Sequence, residues 1–272
     1  MPATLGEALK LALGRIDKVD AKVLLREASG CTAAALIGFP ERALTPDAAQ
    51  RYVDWVARRE IGEPVAHLVG CREFYGHLFR VTPDTLIPRP DTELLVELAL
   101  GLVGDEPKTV LDLGTGTGAI AISIALESQA NVTAVDASPA ALVVAKDNAV
   151  RLFAPIRCLA GSWFDSVADE RFDLIVSNPP YIAVDDHHLS EGDVRFEPLS
   201  ALVAGHDGLD DIRYITNHAS SHLKPNGWLL LEHGYDQAEA VRALLAQAGF
   251  AEVQSWRDLA GIERVSGGQL RG

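Results

Sequence analysis

The run Val110-Leu111-Asp112-Leu113-Gly114-Thr115-Gly116-Thr117-Gly118-Ala119 restricts the fold more than any other stretch of the chain. A buried strand leads directly into three glycines at every second position, and Ile120, Ile122, Ile124 and Ala125 then continue as an apolar helix. Small residues let the backbone pass close to a ligand, and the first-turn N–H groups of the helix remain free as donors. The same alternation recurs downstream. Strands are expected at Thr109–Leu113, Asn131–Val135, Ile156–Leu159, Phe172–Ser177 and Trp228–Leu231, with helical stretches between most of them. Such alternation predicts an α/β fold with a mostly parallel, Rossmann-like sheet covered by helices on both faces. Two further short strands, Glu252–Arg257 and Ile262–Val265, are expected to add an antiparallel pair at the edge, making seven. The tail Ser266-Gly267-Gly268-Gln269 reads as a flexible glycine-rich terminus.

Upstream the pattern differs. From Thr4 to about Ile61 apolar residues recur at helical spacing (Leu5, Leu9, Leu13, Ile16, then Val23 and Leu24), and Thr45-Pro46 reads as an N-cap followed by a proline at the first helical position. Residues 1–62 are therefore expected to form a small helical bundle. Between Pro64 and Pro90 the sequence breaks into short extended pieces, with Glu73–Val81 fitting a hairpin that turns at Gly76. Residues 63–90 then make a β-hairpin linker, and 91–272 the α/β domain.

Charge follows the same division. The chain of 272 residues carries a net charge of −14, but residues 1–80 are net +1 and residues 81–272 net −15. A protein that grips a phosphate backbone normally supplies a basic surface, so an acidic α/β domain argues against tight binding of bulk nucleic acid. Cys31, Cys71 and Cys158 stand far apart with no C-x-x-C spacing, which suits neither a disulfide framework nor a zinc site and points to a reducing cytoplasm. His218 and His222 have helical i, i+4 spacing without a third ligand in evidence, so no metal is expected. The N-terminus lacks a signal peptide's apolar core, and no apolar run approaches the ~20 residues that span a bilayer.

The glycine loop alone does not choose its ligand. Gly114-x-Gly116-x-x-Ala119 satisfies the dinucleotide fingerprint, and Asp136, ending the next strand, can bind ribose hydroxyls in either a nicotinamide or an adenosylmethionine enzyme. The tighter D-x-G-x-G-x-G run leans toward adenosylmethionine, with Asp112 where a carboxylate could meet the cofactor's amino-acid end.

Asn178-Pro179-Pro180-Tyr181 is more telling. It directly follows the strand Phe172–Ser177, and in a doubly wound sheet such a loop borders the ligand crevice. The prolines stiffen the loop and present the Asn178 amide and the Pro179 carbonyl in set directions. Two acceptors suit a planar –NH₂ group whose lone pair is delocalised. Holding its hydrogens favours a pyramidal nitrogen aimed at an electrophilic methyl, which is catalysis by orientation and electrostatics with no obligatory general base. Tyr181 is placed to pack on the flat face of that group.

These motifs resemble class I S-adenosylmethionine-dependent methyltransferases that modify a planar nitrogen. Glu73-Phe74-Tyr75-Gly76, Leu86-Ile87-Pro88-Arg89-Pro90-Asp91-Thr92-Glu93 and Glu197-Pro198-Leu199-Ser200-Ala201-Leu202 narrow the resemblance to the peptide chain release factor glutamine methyltransferases. It covers nearly the whole chain. It implies S-adenosyl-L-methionine as cofactor and the glutamine amide of a release factor's Gly-Gly-Gln loop as methyl acceptor. The implied cofactor residues are Asp112, Gly114, Thr115, Gly116, Thr117, Gly118, Asp136, Trp163 and Asn178, with Asn178, Pro179, Pro180 and Tyr181 holding the glutamine. The helical residues would recognise the release factor, and the protein is expected to be a monomer that contacts neither nucleic acid nor membrane. An amino-methyltransferase of adenine or guanine would share the tetrad but need a basic groove. A nicotinamide dehydrogenase or a non-catalytic nucleotide-binding module would leave the tetrad unexplained.

Overall fold

Thr45 accepts a hydrogen bond from the Ala48 N–H at 3.2 Å and Pro46 takes the first helical position, so helix Pro46–Glu60 (α4) begins where the sequence signals it. Before it run Leu5–Ala12 (α1), Lys18–Ser29 (α2) and Ala33–Gly38 (α3), each opened by a threonine or aspartate whose side chain accepts from the first turn. Their apolar faces share one core, in which Leu5, Leu24, Leu25, Tyr52 and Val56 are completely buried. Residues 64–70 depart from the extended conformation expected of them. Val65–Val69 is a single-turn helix (α5), entered from Pro64 at φ −57° and closed by Gly70 in the left-handed region, with Ala66 and Leu68 buried. Short spacing between helix-compatible punctuation marks hid this turn.

The computed structural model describes residues 1–272 and divides into two units. One comprises Met1–Cys71 with Ser190–Phe196; the other comprises Arg72–Leu189 with Glu197–Gly272. In the first, the returning segment is tied by Arg59, whose Nη1 donates to Asp193 Oδ1 and whose Nε donates to Asp20 Oδ2, both at 2.7 Å. No helix in the structure is long and apolar enough to cross a membrane.

The chain enters the second unit along a hairpin of Cys71–Phe74 (β1) and His77–Arg80 (β2), turning through Tyr75 and Gly76, both at positive φ, as a two-residue hairpin turn demands. Helix Glu93–Val103 (α6) follows. The sheet then builds from Thr109–Leu113 (β3), Asn131–Asp136 (β4), Ile156–Ala160 (β5), Phe172–Ser177 (β6), Leu223–Glu232 (β7), Ala251–Arg257 (β8) and Glu263–Gln269 (β9), in the order β5-β4-β3-β6-β7-β9-β8. All neighbours through β7 are parallel, and β9 runs antiparallel between β7 and β8. Helices Ala119–Glu127 (α7), Pro139–Leu152 (α8), Asp210–His222 (α9) and Ala238–Gln247 (α10) complete the unit.

Alternation along the strands explains the two-sided cover. Val110, Leu174, Val176 and Leu230 face a core with Leu95, Val96 and Ile124, whereas Leu111, Leu113, Ile175, Leu229 and Leu231 face one with Ile212, Ile215, Val241 and Leu245. Each such side chain contributes about 1.5–3 kcal/mol when fully buried. A slip of one residue would exchange the two faces, so the register is strongly specified.

The tail is not a flexible terminus. Ser266, Gly267 and Gly268 are buried in β9, which is longer than the expected Ile262–Val265. A β-carbon on Gly267 would lie 2.5 Å from Leu230 Cδ2 and 2.6 Å from the Leu229 carbonyl oxygen. These glycines serve close packing inside a sheet, which composition alone does not separate from flexibility.

Candidate active site

The strand order places the switch point between β3 and β6: the chain leaves β3 for β4 and β5 on one side and returns to β6 on the other. Ligands in open α/β sheets bind at the carboxyl ends of the strands at such a point. Leu113 and Ser177 are paired in register, and the Ser177 hydroxyl donates to the Leu113 carbonyl at 2.7 Å. The residues that follow them, Gly114 and Asn178, therefore leave the sheet side by side. Two motifs 64 residues apart in the chain become neighbours because β3 and β6 are.

Between these loops lies a cavity of about 230 Å³. Gly114, Thr115, Gly116 and Thr117 line it from the β3 loop, Asp136, Ala137 and Ser138 from the end of β4, and Gly161, Ser162 and Trp163 from the end of β5. Asn178 and Pro180 line it after β6, and Thr85, Leu86, Pro88, Arg89 and Thr92 close another side with Pro198, Ser200 and Ala201. Gly114, Gly116 and Gly118 all have positive φ, from 56° to 81°, a region that residues with a β-carbon rarely enter. Ala119 and Ile120 open α7 at the cavity wall, in the first turn where N–H groups have no acceptor within the helix.

Asp136 organises this end. Its Oδ2 accepts from the Gly116 N–H and its Oδ1 from the Ser138 N–H, both at 2.8 Å, and each oxygen keeps a lone pair for a ligand hydroxyl. Trp163, held at φ +50°, packs partly on the core while its ring edge faces Gly114 across the cavity wall. The lining pairs a carboxylate and an aromatic wall with backbone donors, which fits an adenosine-bearing cofactor with an amino-acid end.

Four residues named from sequence do not line the cavity: Asp112, Gly118, Pro179 and Tyr181. Asp112 lies beneath the loop, completely buried, with its Oδ2 accepting from the Thr115 hydroxyl at 2.6 Å. It braces the loop from behind because its side chain alternates away from Leu111 and Leu113. Gly118 supports the turn, where a β-carbon would lie 2.9 Å from Ile122 Cδ1 and 3.4 Å from Ala145. Pro179 is buried, and Tyr181 packs against the core with its hydroxyl 3.5 Å from Glu232 Oε1. Burial, followed by the Glu232 charge, raises the Tyr181 pKa, so the phenol stays protonated.

Other residues of the site were missed as individuals. Arg89 and Ile87 are held by Glu197, whose buried carboxylate pairs with the Arg89 guanidinium and accepts from the Ile87 N–H at 3.0 Å. This clamp joins the Pro88–Arg89 wall to the Pro198–Ala201 wall. Its only signal in the sequence is that both segments belong to the motifs carrying the family resemblance.

Burial pushes the Asp112 carboxyl up to about 7, against the opposing hydrogen bond from Thr115. The unfolded chain releases that proton near pH 4. Between about pH 4 and 7 the folded protein holds a proton that the unfolded chain has lost, so the stability present at acid pH declines as pH rises through this window. Melting temperature measured against pH without cofactor is expected to show a shallower decline over pH 4–7 for Asp112→Asn than for the unsubstituted protein. Equal slopes would refute the assignment.

Comparison with known proteins bears on the family and the fold. The model of the methyltransferase small domain matches residues 90–192, and that of the PrmC N-terminal domain matches residues 7–70. A release factor glutamine methyltransferase of Bordetella pertussis is 54% identical over 258 residues, covering 94% of this chain and 96% of that protein. The chain belongs to the release factor glutamine methyltransferase family. The family's Pseudomonas aeruginosa member is 52% identical, covering 93% of this chain and 92% of its own. Among solved structures, a methyltransferase from Pyrococcus furiosus superposes with a TM-score of 0.58 at 17% identity, covering 80% of this chain and 99% of that one. At that identity the likeness establishes the class I methyltransferase fold. As a member of this family the protein is an S-adenosyl-L-methionine-dependent methyltransferase.

Proposed function

We propose that this protein transfers a methyl group to the side-chain amide nitrogen of the glutamine in the Gly-Gly-Gln loop of peptide chain release factors. The observation that carries the reading is that Asn178 and Pro180 share one cavity with Gly114–Thr117, Asp136 and Trp163 in a chain of this family. When bound, S-adenosyl-L-methionine supplies an electrophilic methyl. Asp136 holds the ribose, Trp163 walls the adenine, and the Gly114–Thr117 backbone lies close enough for the remainder of the cofactor. Asn178 Oδ1, at the cavity wall, accepts an amide hydrogen of the glutamine, orients its nitrogen and favours the pyramidal form. The attacking nitrogen is neutral and becomes acidic once methylated, so its proton leaves to solvent without a dedicated base.

The helical unit recognises the body of the release factor and thereby delivers the glutamine. A near-neutral unit suits a protein partner, and the acidic α/β unit suits an acceptor without phosphate. The protein acts as a monomer in the cytoplasm, in keeping with its three free cysteines. Incubation with a release factor and methyl-labelled cofactor, followed by peptide mapping, is expected to place one label on the Gly-Gly-Gln peptide. Label absent from that peptide, or found instead on RNA or DNA in a salt-sensitive manner, would overturn the assignment.

A further inference from the structure

Thr117 stands between Gly116 and Gly118, whose φ values are 56° and 81°. Glycine accepts either sign of φ, so local sterics leave the peptide that joins Thr117 to Gly118 able to turn over. A trans peptide is planar, and its carbonyl and N–H point in opposite directions and turn together. Both ends of this one are held. The Gly118 N–H donates to the Thr115 carbonyl at 2.8 Å, and on the other side the Thr117 carbonyl accepts from Asn148 Nδ2 at 3.0 Å. Thr115 and Thr117 both line the cavity, so the direction of this peptide shapes its wall.

Asn148 lies on α8 and is completely buried. A buried amide is costly unless each of its groups is paired, and here each is. Its Nδ2 donates one hydrogen to the Thr117 carbonyl and the other to the Arg80 carbonyl, both at 3.0 Å, while its Oδ1 accepts from the Arg80 N–H at 2.7 Å. One donor and two acceptors around a single amide admit one orientation, because the reverse would set its oxygen against two carbonyls. One turn earlier on the same face of α8, Ala145 packs close under the loop, 3.4 Å from where a β-carbon on Gly118 would lie. Arg80 ends β2, and the chain runs on from it to Thr85, Leu86 and Pro88 in another wall of the cavity. A single side chain therefore joins the glycine loop to the strand from which that wall departs.

The geometry points to Asn148 as a positioning residue for the cofactor: its amide holds the Thr117–Gly118 peptide in one direction and ties the glycine loop to β2, so that the cavity is shaped before the cofactor enters. Binding then spends less on ordering the loop. Asn148 does not itself line the cavity, so it acts through the backbone it holds. The inference rests on the placement of the cofactor in this cavity and is independent of the methyl acceptor. Its effect falls on cofactor affinity. Once the cofactor is bound, its own contacts hold the loop, and the rate of transfer at saturation is nearly untouched.

The test is calorimetry of the full chain with S-adenosyl-L-methionine. Asn148→Asp keeps the shape and the acceptor for Arg80 but removes the donors, and Asn148→Ala removes the whole amide. Each is expected to weaken cofactor binding by about tenfold, the scale of a buried hydrogen bond left unmade. At saturating cofactor, kcat on a release factor should stay within about threefold of the unsubstituted enzyme, a split between binding and turnover that general damage does not produce. Gly267→Ala, in β9 on the far side of β6 and β7 from the loop, controls for lost stability and should bind cofactor within about twofold of the unsubstituted protein, as distant sites act independently. Unchanged affinity in the Asn148 variants, a loss shared by Gly267→Ala, or a fall in kcat equal to the fall in affinity would overturn the inference. Asp136→Ala tests the placement on which it rests: affinity unchanged there as well would put the cofactor elsewhere, whereas a loss in Asp136→Ala alone would overturn only the role of Asn148. A second readout uses the unsubstituted protein and decides the matter even if both Asn148 variants fail to fold. In NMR spectra without cofactor, both Asn148 Nδ2 protons should exchange slowly with solvent, and rapid exchange of either would equally overturn the brace.

Discussion

Replacing Asn178 with alanine is expected to lower kcat on a release factor by about 10²–10³-fold, the scale of losing one preorganised polar group at a reacting centre. The loss should fall on kcat more than on cofactor binding. Asn178 is one of many residues lining the cavity, and Asp136, Trp163 and the Gly114–Thr117 backbone line it as well and would hold the rest of the cofactor. Nothing else in the lining duplicates a side-chain carbonyl at this place: Thr92 is already engaged by Asn178, and the prolines contribute only backbone. Steady-state kinetics with titrated release factor, together with calorimetry for the cofactor, separate the two effects. A fall in kcat under tenfold, or a cofactor affinity reduced as much as kcat, would show that Asn178 binds and does not orient.

Gly267→Ala should destabilise the α/β unit by about 3 kcal/mol, at the upper end of overpacking costs, because one of the clashing atoms is backbone. The added methyl meets Leu230 Cδ2 at 2.5 Å, which a rotamer change can relieve, but also the Leu229 carbonyl at 2.6 Å, which can move only if β7 and β9 separate. For a unit of this size the melting temperature is expected to fall by roughly 6–12 °C. Circular dichroism melts of the full chain measure it. If Gly267 were part of a flexible tail, alanine would leave the melt unchanged or raise it slightly by restricting the unfolded chain.

The same segment shows why part of the fold was not legible. Ser-Gly-Gly-Gln reads as a loop from composition, since glycine weakens an isolated strand. Its place in β9 comes from close approach to Leu229, Leu230 and, for Gly268, Phe250, all of which are distant in sequence. By contrast, β3 and β6 were expected at the bounds observed, because buried parallel strands carry near-continuous apolar runs, broken here only by single polar residues such as Asp112 and Asp173. Helix α5 escaped notice because a single turn is too short to show a period.

The site divides in the same way. Gly114, Gly116, Asp136, Trp163 and Asn178 were legible because their chemistry is tied to local context: a turn needing positive φ, an acid at a strand end, an amide followed by two prolines. Asp112 was legible as important but not as buried beneath the loop. Arg89 and Thr92 were legible only as members of the Leu86–Glu93 motif and Glu197 only as a member of the Glu197–Leu202 motif, since an arginine, a threonine at a helix start or a glutamate in a loop has ordinary local explanations.

Local backbone chemistry and hydrophobic period thus determine from sequence alone the class of fold and the two loops that line its cavity, because each is encoded within a short consecutive stretch. Tertiary structure decided which way those groups face. The contact of Asn178 with Thr92, the clamp at Glu197 and the burial of Asp112 depend on hydrogen bonds and dielectric supplied by strands and helices many residues apart, and those exist only once the chain has packed.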